Sequence, residues 1–121
     1  MHYSITEVAK HFEVTTRTIR YYEELGLIKP IRDSYGKRIY TKKEFTRLVL
    51  IFRGKRLKFS LNEIREMIQL FDTDRTGTKQ LEKTIEYGEK KFKEVVSKIE
   101  ELTELKKDIE EYLADFKKRL S

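Results

Sequence analysis

Val14-Thr15-Thr16-Arg17-Thr18-Ile19-Arg20-Tyr21-Tyr22-Glu23-Glu24-Leu25-Gly26 is the stretch on which the fold turns. Thr15 or Thr16 can cap a helix, and Leu25-Gly26 can stop it, because glycine enters the left-handed conformation at no steric cost. Arg17, Arg20, Tyr21 and Glu24 recur at i, i+3, i+4 and i+7 and so share one face, while Ile19 points to the other. Just upstream, Ser4 and Glu7 have capping-box spacing, and Ile5, Val8, Ala9 and Phe12 follow at helical spacing. A tight turn near Glu13-Val14 joins the two helices. The pair reads as a helix-turn-helix with Ile19 packed on the first helix.

The second helix offers Thr15, Thr16 and Arg17 at its N-terminal end, the end that a recognition helix presents to base edges. Arg17 suits a bidentate contact with guanine, and Arg20 with Tyr21 suits a grip on phosphate. The bland alternative for the arginines is a solvated face. Tyr22 reads as core and Tyr21 as surface.

Beyond Gly26 the pattern changes. Leu27-Ile28-Lys29-Pro30 and Lys37-Arg38-Ile39-Tyr40 are strand-like runs around the turn formers Asp33-Ser34-Tyr35-Gly36, which predicts a β-hairpin. Lys37, Arg38 and Tyr40, with Lys42-Lys43 behind them, fit a wing laid on the DNA backbone. Thr41 with Glu44 and Ser60 with Glu63 are two more capping boxes. They open runs with Phe45, Leu48, Val49 and Phe52, then Ile64, Met67, Ile68 and Phe71. Arg53, Lys55, Arg56 and Lys58 form a second basic element between them.

Asp72 to Thr78 is a polar break, after which no proline occurs. From Leu81 a seam advances by alternating steps of four and three: Leu81, Ile85, Gly88, Phe92, Val95, Ile99, Leu102, Lys106, Ile109, Leu113, Phe116, Leu120. Ten of the twelve are apolar, so the segment reads as a coiled-coil helix. Over forty residues it would extend about 60 Å. Left in water, each large seam residue would forfeit about 1.5–3 kcal/mol. The chain holds no second helix of that length, so the economical partner is another copy; folding back on its own N-terminal part would cover only the first turns. Lys106 can fix register or snorkel to water, and the pattern does not choose.

Composition agrees. Of 121 residues, 38% are hydrophobic and 40% charged, too few apolar groups for one large core and enough for striped helices. The net charge is +6, yet residues 1–60 carry 14 Lys and Arg against 6 Asp and Glu, a balance of +8. The basic excess lies wholly in the first half, as expected if that end meets a polyanion. Without cysteine, and with only His2 and His11, no thiolate metal site or histidine cage is available. No nucleophile–base set and no phosphate-cradling glycine loop appears, so no enzyme and no cofactor are expected. No apolar run approaches the roughly 20 residues that cross a bilayer, and the first residues lack a signal-peptide core, so the expected location is cytoplasmic.

Ile5-Thr6-Glu7-Val8-Ala9 followed by Val14 to Ile28 resembles the start of the MerR family of bacterial transcription regulators. Arg38-Ile39-Tyr40 resembles that family's wing, and Arg56-Leu57-Lys58-Phe59-Ser60-Leu61-Asn62-Glu63-Ile64 its second wing and next helix. One departure is Lys58, where the family usually has glycine. The resemblance implies a winged helix-turn-helix homodimer with antiparallel long helices. It implies a near-palindromic promoter operator whose spacer is distorted so that RNA polymerase can engage.

Metal-sensing members use cysteines near the end of the long helix, absent here, and drug-sensing members carry a large domain after it, where this chain stops at Ser121. Arg53 to Leu57 and the break before Gln80-Leu81 loosely resemble short regulators of branched-chain amino acid and fatty-acid breakdown. An acyl-CoA-type effector against Tyr87, Phe92, Tyr112 and Phe116 is one reading; packing of the seam by those rings is the other.

The expectation is therefore a mainly α chain with residues 1–75 as the DNA-binding domain and 76–121 as the dimerisation helix. DNA contacts are expected from Thr15, Thr16, Arg17, Arg20, Tyr21, Lys37, Arg38, Tyr40, Lys42, Arg53 and Arg56. Dimer contacts are expected from Leu81, Ile85, Phe92, Val95, Ile99, Leu102, Ile109, Leu113, Phe116 and Leu120. A DNA-bridging, chromosome-organising protein with shallow sequence preference is the rival reading. A pure coiled-coil interaction protein would not need the basic residues where they are.

Overall fold

The computed structural model describes residues 1–121. In chain order the elements are β1 (His2–Tyr3), α1 (Ile5–His11), α2 (Thr16–Glu24), β2 (Ile31–Arg32), β3 (Arg38–Thr41), α3 (Lys42–Arg56), α4 (Leu61–Thr73) and α5 (Thr78–Leu120). The chain divides into two compact units, Met1–Thr84 and Ile85–Ser121.

Two of the three expected capping boxes close in both directions. Glu7 N–H donates to Ser4 Oγ at 3.1 Å and Ser4 N–H to Glu7 Oε1 at 3.0 Å. Ser60 and Glu63 repeat the exchange, Glu63 N–H donating to Ser60 Oγ at 3.1 Å and Ser60 N–H to Glu63 Oε1 at 2.7 Å. The third does not form, since the Thr41 side chain makes no capping bond. Glu44 is instead buried, where its Oε2 accepts from the Lys29 N–H at 2.8 Å and both its oxygens accept from Arg47. Arg47 also donates to Asp72 at the end of α4. A carboxylate taken out of water needs such partners, and they outcompete a lone backbone N–H at the helix start.

Three helices end alike. Val14 N–H reaches Ala9 O at 2.9 Å, Leu27 N–H reaches Tyr22 O at 3.0 Å, and Phe59 N–H reaches Gly54 O at 2.9 Å. Each Schellman closure needs a left-handed residue just before the donor. Those residues are Glu13 (φ +56°), Gly26 (φ +75°) and Lys58 (φ +64°), so only one of the three is glycine.

The hairpin is displaced from its expected place. Leu27 and Ile28 belong to no strand and are buried. The Leu27 N–H is spent on the α2 cap, that of Lys29 on Glu44, and Pro30 has none. Pairing therefore begins only at Ile31, opposite Ile39. An additional strand, β1, pairs antiparallel with β3 (His2 with Thr41, Tyr3 with Tyr40), giving the order β1-β3-β2.

Val8, Ile19, Tyr22, Ile28, Leu48, Ile51, Ile64 and Met67 form the core of the first unit. Phe45 and Phe52 on α3 join a chain of rings with Tyr3, Phe12 and Tyr22, spaced 4.9–5.6 Å. Gly54 allows α3 and α4 to meet: a Cβ there would lie 2.6 Å from Ile64 Cγ1. The turn before α5 is closed by Asp74, which accepts from the Thr76 hydroxyl at 2.6 Å and the Lys79 N–H at 3.2 Å. These bonds hold the Asp74 carboxyl below its ordinary value. In the second unit, helix α5 runs on to Leu120 with its large apolar side chains exposed.

Candidate nucleic-acid interface

Helix α2 is set by Thr15, whose Oγ1 accepts from the Thr18 N–H at 3.2 Å and lies 3.1 Å from the Thr18 hydroxyl. The Thr15 hydroxyl is thus engaged in the cap, and Thr16 is half-buried. Ile19 and Tyr22 anchor the inner face in the core, which leaves Arg17, Arg20 and Glu24 exposed and Tyr21 half-exposed at 50%. Burial raises the Tyr22 hydroxyl above its ordinary pKa. The face expected to meet DNA is the solvent face.

The wing is a closed loop. Asp33 Oδ1 accepts from the N–H groups of Tyr35 and Lys37 at 2.8 and 2.9 Å, and Arg32 donates to Gly36 O at 2.8 Å. Lys37 is exposed. Arg38 and Tyr40, two apart on β3, share a strand face. Arg38 Nε donates to Glu23 Oε1 at 2.8 Å, tying the wing to α2. That bond holds the guanidinium above its already high pKa.

Tyr40 corrects the expectation of a surface contact. It is 0% exposed, its hydroxyl has no hydrogen-bond partner, and burial raises its pKa. A ring at that depth packs the wing and does not touch a duplex in this conformation.

Lys42, Arg53, Lys55, Arg56 and Lys58 are exposed, and Lys43 half-buried, all in the same unit as α2 and the wing. Arg32 and Tyr35, which are not among the expected contacts, are exposed on the wing, Tyr35 at 88%. An aromatic residue between basic ones in a turn was the available signal. Glu23, whose role depends on Arg38 fifteen residues away, is not among the expected contacts either. On the second unit, Phe92, Tyr112 and Phe116 are exposed, and the last two rings stack at 6.0 Å; Tyr87 is half-buried.

A helix-turn-helix with two free arginines on its second helix, beside a small antiparallel wing, defines a winged helix-turn-helix DNA-binding protein. The chain belongs to the MerR family of transcriptional regulators. Residues 3–70 match the profile described as MerR HTH family regulatory protein, and residues 45–112 match MerR, DNA binding. The chain is 37% identical over 113 residues to the HTH-type transcriptional regulator CueR of Vibrio cholerae, covering 92% of this chain and 78% of that one. It is 37% identical over 120 residues to the mercuric resistance operon regulatory protein of Bacillus cereus, covering 98% and 86%. Its fold matches the crystal structure of HiNmlR, described as a MerR family regulator lacking the sensor domain, bound to promoter DNA. That match has a TM-score of 0.64 at 25% identity and covers 86% of this chain and 80% of that one.

A mercuric relative raises the question of metal. The donors present do not fit a soft ion, since the chain has no cysteine and no three His, Asp or Glu side chains converge among the described residues. No helix is long and apolar enough to cross a membrane.

Proposed function

We propose that this regulator works as a homodimer on a near-palindromic promoter operator. Its long helices pair antiparallel, and it acts by deforming the operator's spacer to realign the elements that RNA polymerase reads. Residues 1–75 form the DNA-binding head and residues 76–121 the dimerisation helix. Arg17 reads a base edge. Arg20, Tyr21, Lys37, Lys42, Arg53 and Arg56 hold the phosphate backbone, Thr15 and Thr16 present the N-terminal end of α2, and Arg38 positions the wing through Glu23. The protein is a cytoplasmic, non-catalytic switch.

One observation carries the reading. Leu81, Ile85, Phe92, Val95, Ile99, Leu102, Ile109, Leu113, Phe116 and Leu120 are all exposed in the single chain. At about 1.5–3 kcal/mol per large side chain fully buried, a second copy recovers more than the margin by which a domain is stable. We assign Phe92, Tyr112 and Phe116 to that seam and not to an acyl-CoA site. Calorimetry with a panel of acyl-CoAs is accordingly expected to give no heat.

Selection of bound duplexes from a random pool at fixed salt tests the proposal. The expected product is an inverted repeat, preferred over random DNA by about 10³–10⁷. A shallow preference without two-fold symmetry would overturn it in favour of DNA bridging.

A further inference from the structure

The seam departs from apolar character at two positions, Gly88 and Lys106. At Gly88 the exposed helix surface is indented between the side chains of Ile85, Glu89, Phe92 and Lys93, because the glycine carries none. A Cβ placed on Gly88 would meet nothing within 4 Å. Lys106 projects into solvent, its ammonium 3.5 Å from Glu110 of its own helix.

Resting on the homodimer read above, we infer the register of the pair: Lys106 of each copy lies in the Gly88 hollow of the other, with its ammonium on Glu89. An antiparallel pairing that keeps seam against seam can slide only in steps of one heptad, because the seam advances by alternating fours and threes. In one of these positions Gly88 faces Lys106. Phe92 then faces Leu102, Val95 faces Ile99, Ile85 faces Ile109 and Leu81 faces Leu113, while Phe116 and Leu120 lie past the last paired layer, over the start of the partner helix.

One step in either direction sets Lys106 against Val95 or Leu81, and Gly88 against Leu113 or Ile99. Those arrangements bury an ammonium against a branched apolar side chain. The inferred register removes that fault. The four-carbon lysine stem fills the volume the glycine leaves, and the charge emerges beside a carboxylate. Two-fold symmetry repeats the contact. The lysine that weakens the seam as an apolar stripe thus selects one alignment, and with it the spacing of the two DNA-binding heads.

The chain has no cysteine, so introduced ones report cleanly. Gly88→Cys alone and Lys106→Cys alone are expected to stay unlinked after mild oxidation, and the exchanged mixture to give a disulfide-linked pair. Self-linking of Gly88→Cys, or linking of Lys106→Cys to Val95→Cys in its place, overturns the register. Wild-type protein that sediments as one chain removes the homodimer itself, whereas a dimer lacking the 88–106 link removes only the register. In a separate arm, Lys106→Glu is expected to raise the dimer dissociation constant about three- to tenfold. Adding Glu89→Lys restores it. Restoration by Glu110→Lys instead, the neighbour on the same helix, would contradict the inference.

Discussion

Lys58 holds a left-handed backbone at φ +64° that an L-residue enters only at a cost of about 1–2 kcal/mol. The Schellman closure of α3 demands that conformation, and the family resemblance had marked the position as one where glycine usually stands. Lys58→Gly is therefore expected to raise stability by about 1 kcal/mol, the relief of strain less glycine's own entropy. Urea unfolding reads this as a higher midpoint at unchanged slope, and a lower midpoint would contradict it. Arg17 carries the other residue-scale prediction. Arg17→Ala is expected to lose about 1–3 kcal/mol of discrimination at one operator position while folding normally, because its side chain is exposed. Competition binding against single-base operator variants measures that loss, and an undiminished preference would remove Arg17 as the base reader. The solvent face of α2 was legible because helical spacing alone separates Arg17 and Arg20 from Ile19. Tyr40 was misplaced because its strand face turns to the core, and on that same face Arg38 is tied to Glu23 while remaining part-exposed, a direction that sequence spacing does not disclose.

The helices whose starts depend on neighbours three residues away, α1 and α4, were readable from Ser4-Glu7 and Ser60-Glu63. Helix α3 was only half readable. Glu44 leaves Thr41 for Lys29 and Arg47, and Arg47 closes on Asp72 twenty-five residues on, so non-local partners decided the outcome. Strand β1 was missed because two residues cannot display an alternating pattern. The α3–α4 contact makes its own prediction. Gly54→Ala gains helix propensity but forces a carbon to within 2.6 Å of Ile64 Cγ1 in the core, and overpacking of this kind costs about 1–3 kcal/mol. A lowered thermal midpoint is expected, and an unchanged or raised one would show that α4 yields freely.

The turn between α4 and α5 makes a prediction about acid. Hydrogen bonds from Thr76 and Lys79 hold the Asp74 carboxyl below its ordinary 3.8. A depressed carboxylate contributes its stability above the unfolded value and loses it as pH falls through the folded one. The Lys79 amide resonance is thus expected to titrate with a midpoint under 3.8 and to stop titrating in Asp74→Asn; a midpoint at or above 3.8 would contradict the hydrogen-bonded turn.

At the scale of the molecule, two features in the sequence foretold a division of labour: the basic excess confined to residues 1–60 and the four-three seam after Leu81. In the proposed homodimer the first meets a polyanion and the second pairs with another copy, so that each chain would supply one head and half of a connector. Substituting Ile99→Glu puts like charges on both sides of the seam and is expected to leave single chains that bind a half-site weakly. Sedimentation velocity of the wild-type protein at micromolar concentration, alone and with the selected duplex, decides whether the α5 seam joins two chains. Two chains are expected in the free species and two chains per duplex. A single chain free in solution that still protects both halves of a symmetric site would contradict that pairing.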